Sequence, residues 1–240
     1  MIIIPARLAS TRFPNKILAD IFGLPMVIKT AKAVEDIDDV VIAADSEEVL
    51  KIAQDYNIKA ILTNANHQSG TDRINEAAQK LSLEENDTVI NVQADEPFIE
   101  KSVILSLKKR VESLKEKSEW VMASCCKKIS KDEALDPNLV KVVVDKNQNA
   151  LYFSRSRIPY DRENIGVQYL GHLGLYGFTL RSLRSFCAFA PSLLEQTEKL
   201  EQLRALCHGK TINMIEVESQ SFGIDTKEDL QKALKIFQGD

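Results

Sequence analysis

Between residues 40 and 114 the chain alternates short apolar runs with stretches of helical period, and this alternation restricts its possible folds more than any other feature. Val40 to Ala44 precedes Glu47 to Tyr56, Ile58 to Leu62 precedes Thr71 to Leu81, and Thr88 to Val92 precedes Lys101 to Leu114. Short runs without polar alternation suit strands covered on both faces, and a helix between two such strands returns the chain by a right-handed crossover. The expectation is a parallel sheet with helices packed on it. Met1-Ile2-Ile3-Ile4 has the same character and supplies the first strand. In the last helical stretch Val103, Ile104, Leu107, Val111 and Leu114 fall on one stripe, which marks core rather than a ligand box.

After Trp120 the pattern loosens. Trp120 to Cys125, Val140 to Val144, Ala150 to Ser154 and Val167 to Phe178 are strand candidates, and the polar turn Asp145 to Asn149 can join two of them as a hairpin. The sheet should therefore be mixed but mostly parallel. Arg155 to Gly166 is charged and turn-rich with no apolar period, the profile of a lid or a partner surface. The chain closes with a helix begun by Thr226, with Asp229 three residues on and Leu230, Ala233, Leu234 and Phe237 facing inward. No linker or repeat divides the 240 residues, so a single three-layer α/β domain over 1–240 is expected, with a lobe around 120–205.

Composition excludes several classes. A net charge of −4 argues against nonspecific nucleic-acid binding, which needs a basic surface. No apolar run reaches the length of a membrane span, and no charged region precedes the brief apolar start, so no membrane insertion and a cytoplasmic location are expected. Cys125, Cys126, Cys187 and Cys207 lack paired C-x-x-C spacing and histidines at chelating intervals. They read as reduced thiols, with adjacent Cys125 and Cys126 on opposite faces of a strand.

The first strand leads into Pro5-Ala6-Arg7-Leu8-Ala9-Ser10-Thr11-Arg12-Phe13-Pro14-Asn15-Lys16. Pro5 and Pro14 keep this segment from becoming a regular helix, so Arg7, Arg12 and Lys16 can converge on one anion. Two planar guanidinium forks and a point-charge ammonium match a polyphosphate. The segment can equally be a solvated surface loop on local grounds. No G-x-G-x-x-G follows the strand and no G-x-x-x-x-G-K-S/T occurs, which removes the usual dinucleotide and P-loop readings. In an open parallel sheet ligands gather at the carboxyl ends of strands where strand order reverses. The Arg7 to Lys16 loop, Gln93 to Pro97 and Gly223 to Asp225 are all expected at such ends.

The pattern P-A-R-x-x-S-x-R-x-P-x-K resembles the signature of sugar nucleotidyltransferases, specifically the CMP-Kdo synthetases, the 3-deoxy-manno-octulosonate cytidylyltransferases. Further agreement lies in His67-Gln68-Ser69-Gly70-Thr71-Asp72-Arg73, Val92-Gln93-Ala94-Asp95-Glu96-Pro97, Tyr152 to Arg155, Arg157-Ile158-Pro159, His172 to Gly177, Leu200-Glu201-Gln202-Leu203-Arg204 and Gly223 to Thr226. These segments run in family order along essentially the whole chain. Ala94 stands where a glycine is usual and Lys227 where a proline is usual, and neither change removes a charged or ligating group.

The resemblance implies a nucleotide-diphospho-sugar transferase-like, Rossmann-like fold and the joining of CTP to the acidic sugar Kdo, giving CMP-Kdo and pyrophosphate for lipopolysaccharide synthesis. It implies that Arg7, Arg12 and Lys16 hold the triphosphate, with Ala6, Ser10, Ser69, Gly70 and Thr71 near the nucleotide. Asp95 and Asp225 would share Mg2+, a hard cation that takes one or two carboxylates and leaves its other places to water and phosphate; Glu96 is a weaker match for that role. On local grounds Asp95 and Asp225 can also be turn or cap residues.

Gln93, Arg155, Arg162, His172, Tyr176 and Glu201 would bind the sugar, whose carboxylate suits an Arg or a protonated His and whose hydroxyls suit Gln, Tyr and Glu. His172 and Tyr176 can equally be an interior hydrogen-bonded pair, Glu201 a surface ion pair with Arg204, and Gly70 an ordinary loop glycine. The resemblance further implies a homodimer and assigns the 120–205 lobe to sugar binding and dimerisation. A CMP-sialic acid synthetase or related sugar nucleotidyltransferase, and a catalytically silent binder, are the rival readings. The former typically carries a glycine-rich, differently spaced loop, whereas Leu8 to Arg12 follows the Kdo type.

Overall fold

A computed structural model of the protein describes residues 1–10, 12–117 and 119–238, so Thr11 of the basic loop lies outside the described residues. In chain order the elements are β1 (Ile2–Ala6), β2 (Asp20–Ile21), β3 (Leu24–Pro25), α1 (Met26–Val34), β4 (Val40–Ala44), α2 (Glu47–Asp55), β5 (Ala60–Leu62), α3 (Gly70–Lys80), β6 (Thr88–Asn91) and α4 (Lys101–Leu114). They continue with β7 (Trp120–Ile129), β8 (Lys141–Val144), β9 (Ala150–Ser154), β10 (Tyr169–Thr179), α5 (Leu180–Cys187), α6 (Leu193–Glu198), α7 (Gln202–Cys207), β11 (Thr211–Glu216) and α8 (Lys227–Ile236).

The central sheet runs β11-β7-β10-β6-β1-β4-β5. All neighbouring pairs on this path are parallel except those made by β10, which runs antiparallel to both β6 and β7. The antiparallel β8–β9 hairpin hangs from β10, across the turn expected from Asp145 to Asn149. The mixed, mostly parallel sheet flanked by helices is thus observed.

Strand alternation builds two cores. Ile2, Ile4 and Ala6 meet Val27, Ala31, Val49, Leu107 and Val111 from α1, α2 and α4 on one face. Ile3 and Val89 meet Ile74 and Ala77 of α3, Leu183 and Phe186 of α5 and Leu203 of α7 on the other. Each fully buried aliphatic side chain contributes roughly 1.5–3 kcal/mol, which is why β1 reads as an unbroken apolar run. Cys125 and Cys126 divide between the two cores as expected, and both are reduced and buried. Close approach of α4 to β10 depends on Gly177, where an added Cβ would lie 2.4 Å from Val111 Cγ2 and 3.2 Å from Leu107 Cδ1.

Several elements exceed the sequence expectation. The β2–β3 hairpin, α1, the short α5 to α7 and β11 carry periods too brief to stand out alone, and tertiary packing selects them. Thr226 caps α8 with a reciprocal Asp229 capping box, and α8 buries Ala233 against Ile21, Met26 and Ile224. Leu230 and Leu234 pack only partly buried beside them. No helix among the described residues is long and apolar enough to cross a membrane.

Candidate active site

The chain leaves β1 toward β4 and β5 on one side, then places β6 on the other side of β1, so strand order reverses between β1 and β6. The loops following both strands open onto the crevice that results. A cavity of about 280 Å³ there is lined by Arg7, Ser10, Arg12, Lys16, Gln68, Ser69, Gly70, Arg73, Gln93, Asp95 and Asp225, among others. A larger hollow of about 640 Å³ lies near Arg110, Trp120 and Thr211, at the opposite strand ends. Arg110, Glu116, Lys117 and Glu119 line it, but among the described residues no ion pair joins them, whereas Lys16, Asp95 and Asp225 meet in the smaller cavity. We therefore place the chemistry there.

The basic loop is anchored before it reaches the crevice. Leu8 N donates to the Asp45 carboxylate at 3.2 and 3.3 Å, and Asp45 N donates to Ala6 O. Ala6 itself is fully buried toward the first core and presents no side chain to the cavity. Asn15 takes a left-handed conformation, φ 52°, ahead of a single 3-10 turn at Lys16–Leu18 that buries Ile17 and so orients Lys16.

Lys16 Nζ donates to Asp95 Oδ2 at 2.5 Å and to Asp225 Oδ1 at 2.7 Å, while Arg12 Nη2 donates to Asp225 Oδ2 at 2.8 Å. Burial pulls the Lys16 pKa down, but Asp95 and Asp225 outweigh it and raise the ammonium above its usual value. Asp225 shows the mirror effect: partial burial pushes it up, and Lys16 and Arg12 bring it below the usual carboxylate range. Arg7 lines the same cavity, and among the described residues no acid lies within ion-pair distance of it.

The amino end of α3 supplies the opposite wall. Ser69 caps it by accepting from Asp72 N, and the positive end of the helix faces the cavity. Gly70 packs tightly there, since a Cβ would lie 3.2 Å from Pro5 Cγ and would have to displace it slightly. Arg73, only 2% exposed, donates through Nη1 to Thr63 Oγ1 and Asn64 O and leaves Nη2 without a partner.

Behind Gly70 and Gln93 lies a second, buried polar compartment. Thr71 Oγ1 donates to Glu201 Oε1 at 2.7 Å, Gln202 Nε2 donates to Tyr176 Oη at 2.5 Å, and Ser124 Oγ lies 2.8 Å from His172 Nε2. His172 and Tyr176 keep one face of β10 despite a bulge between Leu173 and Tyr176, with rings 5.6 Å apart. Gln93 Nε2 donates to Asn91 Oδ1. Glu201 Oε2, Gln202 Oε1 and Asn91 Nδ2 are buried with no partner, which burial normally forbids. Burial raises Glu201 to about 7 and lowers His172 to about 3. Glu201 as a residue is only half-buried, but its carboxylate is enclosed, and the enclosed atoms govern its titration. His172 is accordingly a neutral donor and acceptor, not the protonated partner for a carboxylate that its residue type suggested.

Other expectations need correction. Asp225 does not sit at the end of a strand neighbouring Asp95: β11 ends at Glu216 on the far sheet edge, and residues 217–224 carry the chain back until Ile224 N donates to Asp95 O. Glu96 is buried, accepting from Ser221 Oγ, and burial pushes its carboxyl to about 7. Arg155 is not brought to the crevice, because its Nε and Nη1 donate to the carbonyls of Glu198 and Pro137. Arg162 is 86% exposed beside Glu163, in the lid-like segment. Arg73, Asn91, Ser124 and Gln202 were not singled out by sequence, because a buried polar role depends on partners distant along the chain. Arg73, Gln202 and their neighbours do fall inside family-like segments, which is the one signal that could have found them.

A basic loop at the switch point of a mostly parallel sheet, opposed by two acids from distant chain segments, defines a nucleotidyltransferase-type α/β protein. The chain belongs to the cytidylyltransferase family, whose model matches residues 1–212. The 3-deoxy-manno-octulosonate cytidylyltransferase of Wolinella succinogenes is 56% identical over 99% of both chains. That of Helicobacter pylori strain J99 is 53% identical over 99% of this chain and 97% of its own. A solved CMP:2-keto-3-deoxy-manno-octonic acid synthetase complexed with CTP superposes with a TM-score of 0.89 at 38% identity, covering 99% of this chain and 97% of the other. A cytidylyltransferase from Leptospira borgpetersenii, 15% identical with a TM-score of 0.61 over 98% of this chain and 86% of its own, shares the fold alone.

Proposed function

We propose that the chain transfers CMP from CTP to the anomeric hydroxyl of Kdo, releasing pyrophosphate and activating the sugar for lipopolysaccharide synthesis. The observation that carries the mechanism is the meeting of Lys16 with Asp95 and Asp225 beside an unpaired Arg7. Arg7, Arg12, Lys16 and the amino end of α3 hold the triphosphate, with Ser10, Ser69 and Gly70 along its path. The sugar occupies the compartment of Gln93, His172, Tyr176 and Glu201, where Glu201 Oε2 and Gln202 Oε1 supply acceptors for its hydroxyls. The anomeric oxygen then attacks the α-phosphorus in line as pyrophosphate leaves, a reaction that needs positioning and charge neutralisation more than a nucleophilic side chain.

The donor set at the crevice fits magnesium. Two carboxylates already converge on one cation, the Lys16 ammonium. Among the described residues no third acid, histidine or cysteine joins them, so phosphate and water would complete the shell. Asp95 and Asp225 would hold the ion. When bound, it would polarise the phosphates and favour ionisation of the incoming hydroxyl.

The protein is proposed to act in the cytoplasm as a homodimer through the 155–166 segment, where Tyr160 and Ile165 are 77% and 84% exposed. Light scattering at twice the monomer mass checks the dimer. Incubation with magnesium, CTP and either Kdo or sialic acid, following pyrophosphate, tests the activity. Release with Kdo is expected, and release with sialic acid alone, or with neither, overturns the assignment.

A further inference from the structure

Asp225 owes its place to a strap of chain, and the strap is tied down by acids that follow Asp95. Glu100 accepts from Gln220 N at 2.6 Å and from Ser219 Oγ at 2.7 Å. Glu96 Oε2 accepts from Ser221 Oγ at 2.5 Å, and Gly223 passes close enough that a Cβ there would lie 3.8 Å from Glu96 Oε1. Lys127 Nζ donates to the carbonyls of Ser221 at 2.7 Å and Ser219 at 3.3 Å, closing the strap from β7. Glu96 is 5% exposed and Ser221 fully buried, and Glu96 does not line the crevice. A carboxylate so enclosed is costly unless it is well partnered, and a fold with no use for it would be served by an apolar side chain.

We propose that Glu96 is a positioning residue: through Ser221 it fixes the spacing of its chain neighbour Asp95 and of Asp225, so that both carboxylates reach the same cation. Glu96 turns its carboxylate away from the crevice and takes no part in ligation. The pair Glu96–Ser221 thus joins two chain segments 125 positions apart just behind the cation-binding edge. This inference rests on the magnesium reading above.

The test measures Mn2+ binding by electron paramagnetic resonance in the presence of a non-hydrolysable CTP analogue, alongside the magnesium dependence of turnover. Glu96→Ala should weaken Mn2+ binding about tenfold or more, as loss of a partner that orients a ligand typically does. It should raise the magnesium needed for half-maximal turnover in parallel and leave the KM for Kdo unchanged. Glu96→Gln retains an acceptor for Ser221 Oγ and should stay near wild type. Ser221→Ala reports the same contact from the other side if Glu96→Ala does not fold. Combining Glu96→Ala with Asp225→Asn should weaken binding no further than Asp225→Asn alone, because the strap then has no ligand left to place. Unchanged Mn2+ affinity in Glu96→Ala or Ser221→Ala, while Asp225→Asn weakens binding, overturns the positioning role and spares the magnesium reading. Additive losses in the double variant overturn it equally. Intact Mn2+ binding in Asp225→Asn removes the magnesium reading itself, and the inference with it.

Discussion

Lys16 Nζ stands 2.7 Å from Asp225 Oδ1, a residue 209 positions away in sequence. The same ammonium holds Asp95 and is only 12% exposed, so it neutralises a pair of carboxylates that would otherwise repel. Under the proposed function, a triphosphate entering beside Arg7 would offer Lys16 a competing set of oxygens and free the two carboxylates for a divalent ion.

Lys16→Ala should therefore raise the KM for CTP more than the KM for Kdo. Loss of a charged hydrogen bond of about 1.5–3 kcal/mol corresponds to roughly ten- to a hundredfold. Steady-state kinetics with each substrate varied in turn measures the split. Equal loss toward both substrates would make Lys16 a folding residue.

Asp225→Asn keeps the shape of the side chain and removes its charge. The melting temperature should fall only slightly, because the Arg12 pair is exposed and the enclosed Lys16 ammonium keeps its bond to Asp95 when Asp225 loses its charge. Turnover should fall on the order of a hundredfold, the scale seen when one preorganised charge-stabilising group is lost, with partial recovery at raised magnesium. Full activity at ordinary magnesium would take Asp225 out of the proposed metal site.

Gly177→Ala tests the packing that holds α4 against β10. The added methyl would overlap Val111 and Leu107 of α4, and overpacking of this kind costs about 1–3 kcal/mol. At about 2–4 °C per kcal/mol for a chain of this size, differential scanning calorimetry should find the melting temperature lowered by several degrees.

The parts of the fold that could be read from sequence are those whose signal is local. Lys101–Leu114 shows its buried stripe in its own spacing, and Thr226 with Asp229 declares the start of α8. Strand β10 was visible as a strand, but its antiparallel insertion between β6 and β7 was not, because pairing partners leave no mark on a single run. The same division holds at the site. Arg7, Arg12 and Lys16 announce themselves by charge in one loop, whereas the approach of Asp225 to Asp95 depends on a strap whose ties are set by Glu96, Glu100 and Lys127. Residue type also misled in one respect. A histidine facing an acidic sugar suggests a cation, yet the enclosure of His172 among Ser124, Tyr176 and Gln202 keeps it neutral.

Glu201 gives the pH dependence its sign. Burial raises its carboxyl to about 7 from the 4.5 of an open chain, so between those values the folded protein holds a proton that the unfolded chain releases. The stability this provides is complete below about pH 4.5 and is lost as pH rises through 7, where the folded state must either bury an anion or keep binding a proton from dilute solution. Glu201→Gln preserves an acceptor for Thr71 Oγ1 without a charge to bury. In the absence of substrate the variant should melt close to wild type at pH 5 and above it at pH 8, with the gap opening across the interval between. Melting curves at half-unit steps of pH would measure this: a constant gap would show that Glu201 titrates as an ordinary surface carboxylate, and a gap that closes toward pH 8 would show that its folded carboxyl is lowered instead of raised.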